Sequence, residues 1–565
     1  MQYFALACDY DGTIATHGTA GPSTLAALRR VRESGHRLLL VTGRRVDDLA
    51  RVLPDLELFD RIVAENGAVL FRPDRREERL LAEPPSAALV EELRRRGVAP
   101  LEIGRCIVAT WEPHEVDVLE AIHSAGLELQ VSFNKGAVMI LPSGINKKSG
   151  LCAALADLGL SPLNTVGVGD AENDHAFLSA CGFSYAVANA LESIKRRVDL
   201  VTRSVHGAGV EEIIEDLLAD DLERYEGLLR RRYVRLGLDP GGREIALPPD
   251  RTRVLVAGAS GSGKSQIVTA LLERLSRTGY QFCVIDPEGD YESLEYAVTM
   301  GDEHACPQPD KVHQLLAKYE NAVVTLLSVP LEDRPAVAAR LLHMLLEMRE
   351  AKGRPHWIVF DEAHHMLPAQ WRLDREIDQL GSEILVTVHP GSLAPAALAA
   401  INVVICVGSE AGQSLTEFFQ ALRRPAPALP PPPKEEMEAL VWFCGRSDQP
   451  VLVRIEPSES DRRRHRRKYA EGDLQQKSFF FQGPEGRLNL RAQNLSTFMQ
   501  IGDGVDIDTW LYHLRRGDYS RWMETSIKDE TLANRVRAVE QADLPAEESR
   551  ARIREAIEER YTAAA

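Results

Sequence analysis

FALACDYDGT, residues 4–13, decides the reading of this chain. FALAC (4–8) is a short apolar run with the length of a buried strand, and two carboxylates follow at once, Asp9 and Asp11. Residues two apart on an extended chain point the same way, and Gly12 then lets the chain turn sharply. Working outward, PSTLAALRRVRESG (22–35) reads as a helix, HRLLLVTG (36–43) as a strand and RVDDLARVLPDL as a helix. This alternation predicts a parallel α/β sheet with helices on both faces. Ligands of such a sheet sit beyond the C-terminal ends of its strands, where Asp9 and Asp11 are placed.

A second cycle follows the same rule. LCAALADLGL reads as a helix, NTVGVGD as a strand, NDHAFLSACG as a helix and FSYAVAN as a strand. GVGDAENDHAFL therefore puts Asp170 at a strand end and Asp174 at a helix start. Four carboxylates gathered on one edge repel one another unless a divalent cation lies among them, and oxygen-only ligands fit Mg²⁺. Thr42 in LLLVTGR ends a third strand, offering its hydroxyl and the following backbone N–H groups to a phosphoryl oxygen. GINKKSG supplies Lys147 to balance charge; Lys148 stands in tandem with it, and spacing after Gly144-Ile145-Asn146 favours Lys147. Residues of about 84–143 differ in pattern, with the helix ALVEELRRRG ahead of short strand-like pieces, and read as an inserted α+β cap.

These motifs, together with VAENGA (63–68) and VANA (187–190), resemble the haloacid dehalogenase-like phosphohydrolases over about residues 1–218, in particular the Cof-type branch. The resemblance implies a Rossmann-like core, with Asp9 as nucleophile and Asp11 as general acid/base. It implies that Thr42, Gly43 and Lys147 hold the phosphoryl group, with Asn173 near it. It also implies that Asp9, Asp170 and the backbone carbonyl of Asp11 bind Mg²⁺ while Asp174 holds that shell. A carboxylate attack on phosphorus followed by hydrolysis of the acyl phosphate is chemically coherent with this set. Kinases, mutases and dehalogenases of the superfamily are the less favoured alternatives.

A second α/β unit begins after LERYEGLLRRRYVRLGLDPGG (222–242). Its expected strands are 252–258, 281–287, 322–328, 356–362, 382–389 and 401–408. Gly258 to Ser265 (GASGSGKS) satisfies GxxxxGK[ST] between a strand and a helix, so the loop Gly258, Ser260, Gly261, Ser262, Gly263 is expected to cradle ATP phosphates. Lys264 would reach the β/γ-phosphates and Ser265 the Mg²⁺. HWIVFDEAHHM ends an apolar strand in Asp361, suited to the metal shell, and Glu362, suited to polarise water. That pair favours ATP hydrolysis over a kinase. With CVIDPEGDY (283–291), these motifs resemble the HerA/FtsK/VirB4 group of motor ATPases over about 245–425. The resemblance implies a RecA/ASCE-like fold, a polar sensor at Thr387 or His389, arginine fingers at Arg423 or Arg424, and a homo-oligomeric ring. The usual sensor is glutamine, and Val388 stands close to its place.

The remaining features set limits. The net charge of −17 argues against a protein coated in basic surface. Eight scattered cysteines without a CxxC fit reduced thiols. The N-terminus lacks the basic flank of a signal peptide and no apolar run approaches the ~18–20 residues of a membrane span, so the expectation is a cytoplasmic protein without membrane contact. RRPAPALPPPPKEE (423–436) is expected to be extended. Arg462–Lys468 is a basic run, read as solvated surface, a linker or a nucleic-acid contact. The last ~95 residues are expected to be a small, mainly helical module whose aromatic cluster is core. The expected division is therefore 1–220, 221–460 and 461–565. Function is expected to be a Mg²⁺-dependent phosphohydrolase joined to an ATP-hydrolysing motor-like domain, acting on nucleic acid or nucleotides. The alternatives are a small-molecule phosphatase, for sugar phosphates or similar, regulated or assembled by the P-loop module, and a scaffold ordered by nucleotide.

Overall fold

The computed structural model describes residues 2–53, 55–134, 136–370, 381–435, 437–445, 449–459, 478–527, 529–542 and 544–561. The chain forms two compact units, one of Met1–Ser265 with Arg274–Ile455, the other of Gln266–Glu273 with Glu456–Ala565.

In the first unit, an eight-stranded sheet is ordered Leu200–Val201, Phe183–Ala186, Thr165–Gly169, Ala5–Asp9, Arg37–Val41, Arg61–Ala64, Val69–Arg72, Glu77–Leu80. The first six run parallel, Val69–Arg72 pairs antiparallel with Arg61–Ala64, and Glu77–Leu80 pairs antiparallel with Val69–Arg72. Ala5–Asp9 lies in the middle, buried at every residue, because both faces of a parallel sheet are covered by helices. Its neighbours are Thr165–Gly169 and Arg37–Val41, so Asp9, Asp170 and Thr42 reach one edge.

Between Leu80 and Lys147 the chain makes a separate four-stranded antiparallel sheet, ordered Leu129–Asn134, Ala137–Pro142, Val108–Trp111, Glu102–Ile103. Helices Ala87–Arg95 and Glu115–Ala125 accompany it, and Leu89, Leu93, Val118, Ile122, Val138 and Ile140 form a core of their own. This is the expected α+β insertion. The helix Glu115–Ala125 is an addition to the sequence reading: its buried residues are Val118, Ala121 and Ile122, while Val116 and Leu119 are exposed, which blurs its apolar stripe.

An eleven-stranded sheet follows. All six expected strands are present and parallel, with Ser382–Thr387 lying between Arg253–Ala257 and Trp357–Phe360. The sheet continues past the proline-rich stretch, whose described residues carry no regular element, through Glu438–Phe443, Val451–Ile455, Val234–Leu238 and Glu244–Leu247, each paired antiparallel. The last two form a hairpin whose turn is held by Asp239 Oδ1, accepting from the N–H groups of Gly241 and Arg243.

In the second unit, a Phe479–Phe481/Leu490–Ala492 ribbon joins five helices between Leu495 and Tyr561. Phe479, Phe481, Phe498, Trp510, Tyr519 and Trp522 share one core. His513 is buried with them, its Nε2 accepting from Gln482 N–H and its Nδ1 facing Asp518 Oδ2, as the core reading of this cluster requires. The basic run Arg462–Lys468 lies outside the described residues. All eight cysteines are free. Among the described residues no helix is long and apolar enough to cross a membrane.

Candidate active sites

Asp9 closes its strand and is 4% exposed. Lys147 Nζ donates to Asp9 Oδ1 and to Asp174 Oδ1, each at 2.5 Å. The lysine is presented by a helix start: Asn146 Oδ1 accepts from Ser149 N–H, and Ser149 Oγ accepts from Asn146 N–H. This reciprocal cap fixes Lys147 as the first helical residue, turned inward and buried, while Lys148 is exposed. Helix geometry thus sets Lys147, and not Lys148, against the carboxylates.

Asp174 Oδ2 accepts from Asp170 N–H at 2.9 Å and Ala171 N–H at 3.0 Å. Gly169 has no room for a Cβ, which would meet the Asp174 carboxylate at 2.7 Å. Carboxylate oxygens of Asp9, Asp170 and Asp174 lie within 4.8 Å of one another. Three carboxylates and one ammonium share this buried place. Burial, then the Asp174 charge, pushes the Asp9 carboxyl up. Burial alone would lower Lys147, but Asp174 and Asp9 outweigh it and the ammonium is held protonated. An all-oxygen set of this charge fits a divalent cation such as Mg²⁺.

Thr42 is 1% exposed, and its Oγ1 accepts from Arg44 N–H at 3.1 Å. Gly43 lies against Asn66, whose Oδ1 would stand 3.4 Å from an added Cβ. Asn173 Nδ2 donates to the same Asn66 Oδ1 at 2.9 Å. Asp11 is different. Its carboxylate is outside the triad and takes a two-pronged pair from Arg44, Nε to Oδ2 at 2.6 Å and Nη2 to Oδ1 at 2.7 Å. Arg44 and Asn66 add to the expected set; their signal in the sequence is position, directly after Thr42-Gly43 and inside ENGA.

In the P-loop, Gly261 and Gly263 have φ of +73° and +96°, the left-handed region glycine tolerates. A Cβ on Gly258 would press on Val407 O at 2.6 Å. Ser260 and Gly261 are exposed, and Ser262 packs beside Gly408 and Gly258. Lys264 begins the following helix and its Nζ donates to Ala259 O at 3.1 Å. Ser265 Oγ donates to Asp290 Oδ2 at 2.9 Å.

Asp361 is 2% exposed and accepts from the buried Tyr291 hydroxyl at 3.3 Å. Burial, then Asp286, Glu362 and Asp290, pushes Asp361 up to about 8; a cation there would reverse this, since a bound metal favours the carboxylate. Burial also raises Glu362, against the pull of Lys264. The DPEGDY loop is built on Asp286, whose carboxylate accepts from the N–H groups of Glu288, Gly289 and Tyr291. It thereby sets Asp290 on Ser265 and Tyr291 on Asp361. His364 Nδ1 lies 3.1 Å from Thr387 Oγ1 and 3.4 Å from Glu362 Oε2, linking the acidic pair to Thr387. His389 is exposed and faces Glu417 at 3.9 Å, and Arg423 and Arg424 are exposed.

Comparison with known proteins finds a family model for each of two regions of the chain. The haloacid dehalogenase-like hydrolase family model matches residues 6–95 and 107–214. The model for the central domain of the helicase HerA matches residues 250–351. The phosphoglycolate phosphatase of Methanothermobacter thermautotrophicus is 29% identical over 219 residues, 37% of this chain and 96% of that protein. Those of Halorubrum lacusprofundi and Haloarcula marismortui are 30% and 31% identical, over 96% and 95% of their lengths and 38% and 37% of this chain. The chain belongs to the haloacid dehalogenase-like hydrolases, and a HerA-like P-loop ATPase domain follows the phosphatase domain in the same polypeptide.

Proposed function

We propose that the chain is a two-activity enzyme: a Mg²⁺-dependent phosphomonoesterase working through an aspartyl-phosphate on Asp9, and an ATPase centred on Lys264, Asp361 and Glu362. The observation that carries the first half is Lys147 held between Asp9 and Asp174, with Asp170 beside them. Asp9 attacks phosphorus in line, and the leaving oxygen takes a proton from Asp11. Water then attacks the acyl phosphate, with Asp11 receiving its proton. For either step Asp11 must turn from Arg44. Lys147, Thr42, Gly43 and Asn173 hold the phosphoryl oxygens. Asp9, Asp170 and the Asp11 carbonyl would hold Mg²⁺, with Asp174 orienting that shell, and the bound ion would offset charge on those oxygens.

In the second half, loop N–H groups from Gly258 to Gly263 and Lys264 bind the ATP phosphates. Ser265 and Asp361 would hold the second Mg²⁺, and Glu362 orients the attacking water. The reading divides the chain at 1–220, 221–460 and 461–565 and takes it to act in the cytoplasm, as a ring of identical subunits, on nucleic acid or nucleotides. The relatives named above are phosphoglycolate phosphatases, which makes a small phosphorylated acid the first substrate to test. A sugar-phosphate or similar small-molecule phosphatase regulated by the P-loop module is the second reading, favoured by the coverage of those relatives nearly end to end by the N-terminal region alone.

The test is a panel of phosphoglycolate, sugar phosphates, nucleotides and phosphorylated DNA ends, with Mg²⁺ and with chelator. Mg²⁺-dependent release of phosphate from at least one class supports the phosphatase. Release unaffected by chelation, or none from any class, overturns it.

A further inference from the structure

Glu65, Asn66 and Gly67 have φ of +49°, +53° and +104°. Two successive non-glycine residues in the left-handed region are held there only when surrounding structure demands it. The ENGA motif they belong to has no role in the chemistry above, yet its contacts run in two directions.

Toward the phosphoryl site, Glu65 N–H donates to Arg44 O at 3.0 Å and Asn66 N–H to Thr42 O at 3.1 Å. Asn66 Oδ1 accepts from Asn173. Gly67 is pressed by the backbone carbonyl of Asn146, the cap of the Lys147 helix, and any Cβ there would collide with it. Toward the cap, Asn66 Nδ2 donates to Met139 Sδ on the strand Ala137–Pro142. The buried Glu65 carboxylate reaches the link between Glu102–Ile103 and Val108–Trp111. Oε1 accepts from Arg105 N–H at 2.8 Å, and Oε2 from Cys106 N–H at 2.9 Å and Ile107 N–H at 3.3 Å. Gly104 completes this cradle, since a Cβ there would lie 2.5 Å from Oε2.

We infer that Glu65 is a positioning residue that anchors the cap in register over the phosphoryl site, and that substrate selection depends on this anchor. The inference rests on the phosphatase reading. A carboxylate accepting three backbone N–H groups is a strong, geometrically fixed contact, and it is the link from the residue following Ala64 directly into the cap. The phosphate of a substrate is held by the core, while the remainder of the ester faces the cap. Loss of the anchor therefore weakens recognition of the ester but spares recognition of bare phosphate.

The test uses the full chain with Glu65→Ala and, independently, Gly104→Ala, which displaces the carboxylate without altering it. Two readouts are taken: kcat/KM for phosphoglycolate, or for the best substrate of the panel, against Ki for inorganic phosphate; and amide hydrogen exchange of peptides spanning 104–111 and 165–174. The expected result is a rise in KM of about tenfold or more, a phosphate Ki within about twofold of wild type, and faster exchange at 104–111 with 165–174 unchanged. Unchanged KM and exchange in both variants would overturn the inference. So would a parallel loss of substrate and phosphate binding, which marks a merely structural residue. If the wild type hydrolyses nothing, the phosphatase reading fails and the exchange data alone decide the anchor.

Discussion

His356 Nε2 donates to Asn164 Oδ1 at 3.1 Å. His356 immediately precedes Trp357–Phe360, the strand that Asp361 follows, and Asn164 immediately precedes Thr165–Gly169, the strand that Asp170 follows. The two site-bearing strands thus meet at their N-terminal ends. Around them Lys352 Nζ donates to Leu158 O at 2.9 Å and Arg354 to Gly159 O at 3.0 Å, with Arg354 stacked 3.9 Å over the Tyr319 ring. Leu158 is the last residue of the helix that begins with Lys147.

This pair gives a pH prediction. His356 Nδ1 accepts from Gln281 N–H, so the proton of the neutral ring is on Nε2, where Asn164 needs it. Burial, then Arg354 and Arg349, pushes His356 down to about 3. The unfolded chain, near 6.5, binds the extra proton between about pH 6.5 and 3, so this stability is present above that window and lost as pH falls through it. From about pH 7.5 to 5 wild type should lose up to about 2 kcal/mol that His356→Gln does not lose. Thermal or urea unfolding of both proteins at the two pH values measures it; equal losses contradict the assignment.

Lys147→Ala leaves Asp9 and Asp174 buried without their cation. Stability without Mg²⁺ should fall by about 3–5 kcal/mol, and added Mg²⁺ should raise the unfolding midpoint of the variant more than that of wild type. A variant as stable as wild type in chelator would argue that the triad is not charged.

Glu362→Gln should lower ATP turnover by about 10²–10⁴-fold, the usual worth of a general base, while nucleotide binding persists. Turnover and binding of a fluorescent ATP analogue, measured on one preparation, separate these. Retained turnover assigns the base elsewhere.

Tyr291→Phe removes only the hydroxyl that meets Asp361. Loss of such a supporting contact should raise the Mg²⁺ concentration needed for ATPase about 10–100-fold. A Mg²⁺ titration decides it, and an unchanged midpoint would leave Tyr291 as packing.

Much of this was legible in the sequence because the phosphoryl and nucleotide motifs are local: Asp9, Thr42, Asp170 and Lys264 each sit at a strand end or helix start whose pattern is contained in about ten residues. The partners that complete the sites are not local. Arg44 reads as an ordinary surface cation until Ala5–Asp9 pairs with Arg37–Val41 and brings Asp11 to it. Glu65 acquires its role only from N–H groups forty residues away. The hairpin at 234–247 was hidden by the shortness of its strands, which end on the exposed Leu238 and Glu244, and the role of His356 by the sequence distance to its partner Asn164.

Whether two separate hydrolytic centres share one chain is decided by measuring phosphate-ester hydrolysis and ATP turnover side by side in wild type, Asp9→Asn and Lys264→Ala. Loss should be crosswise: Asp9→Asn abolishes ester hydrolysis and keeps ATPase, and Lys264→Ala abolishes ATPase and keeps ester hydrolysis. Ester hydrolysis surviving Asp9→Asn, or both activities falling in either variant to the same degree, would contradict it.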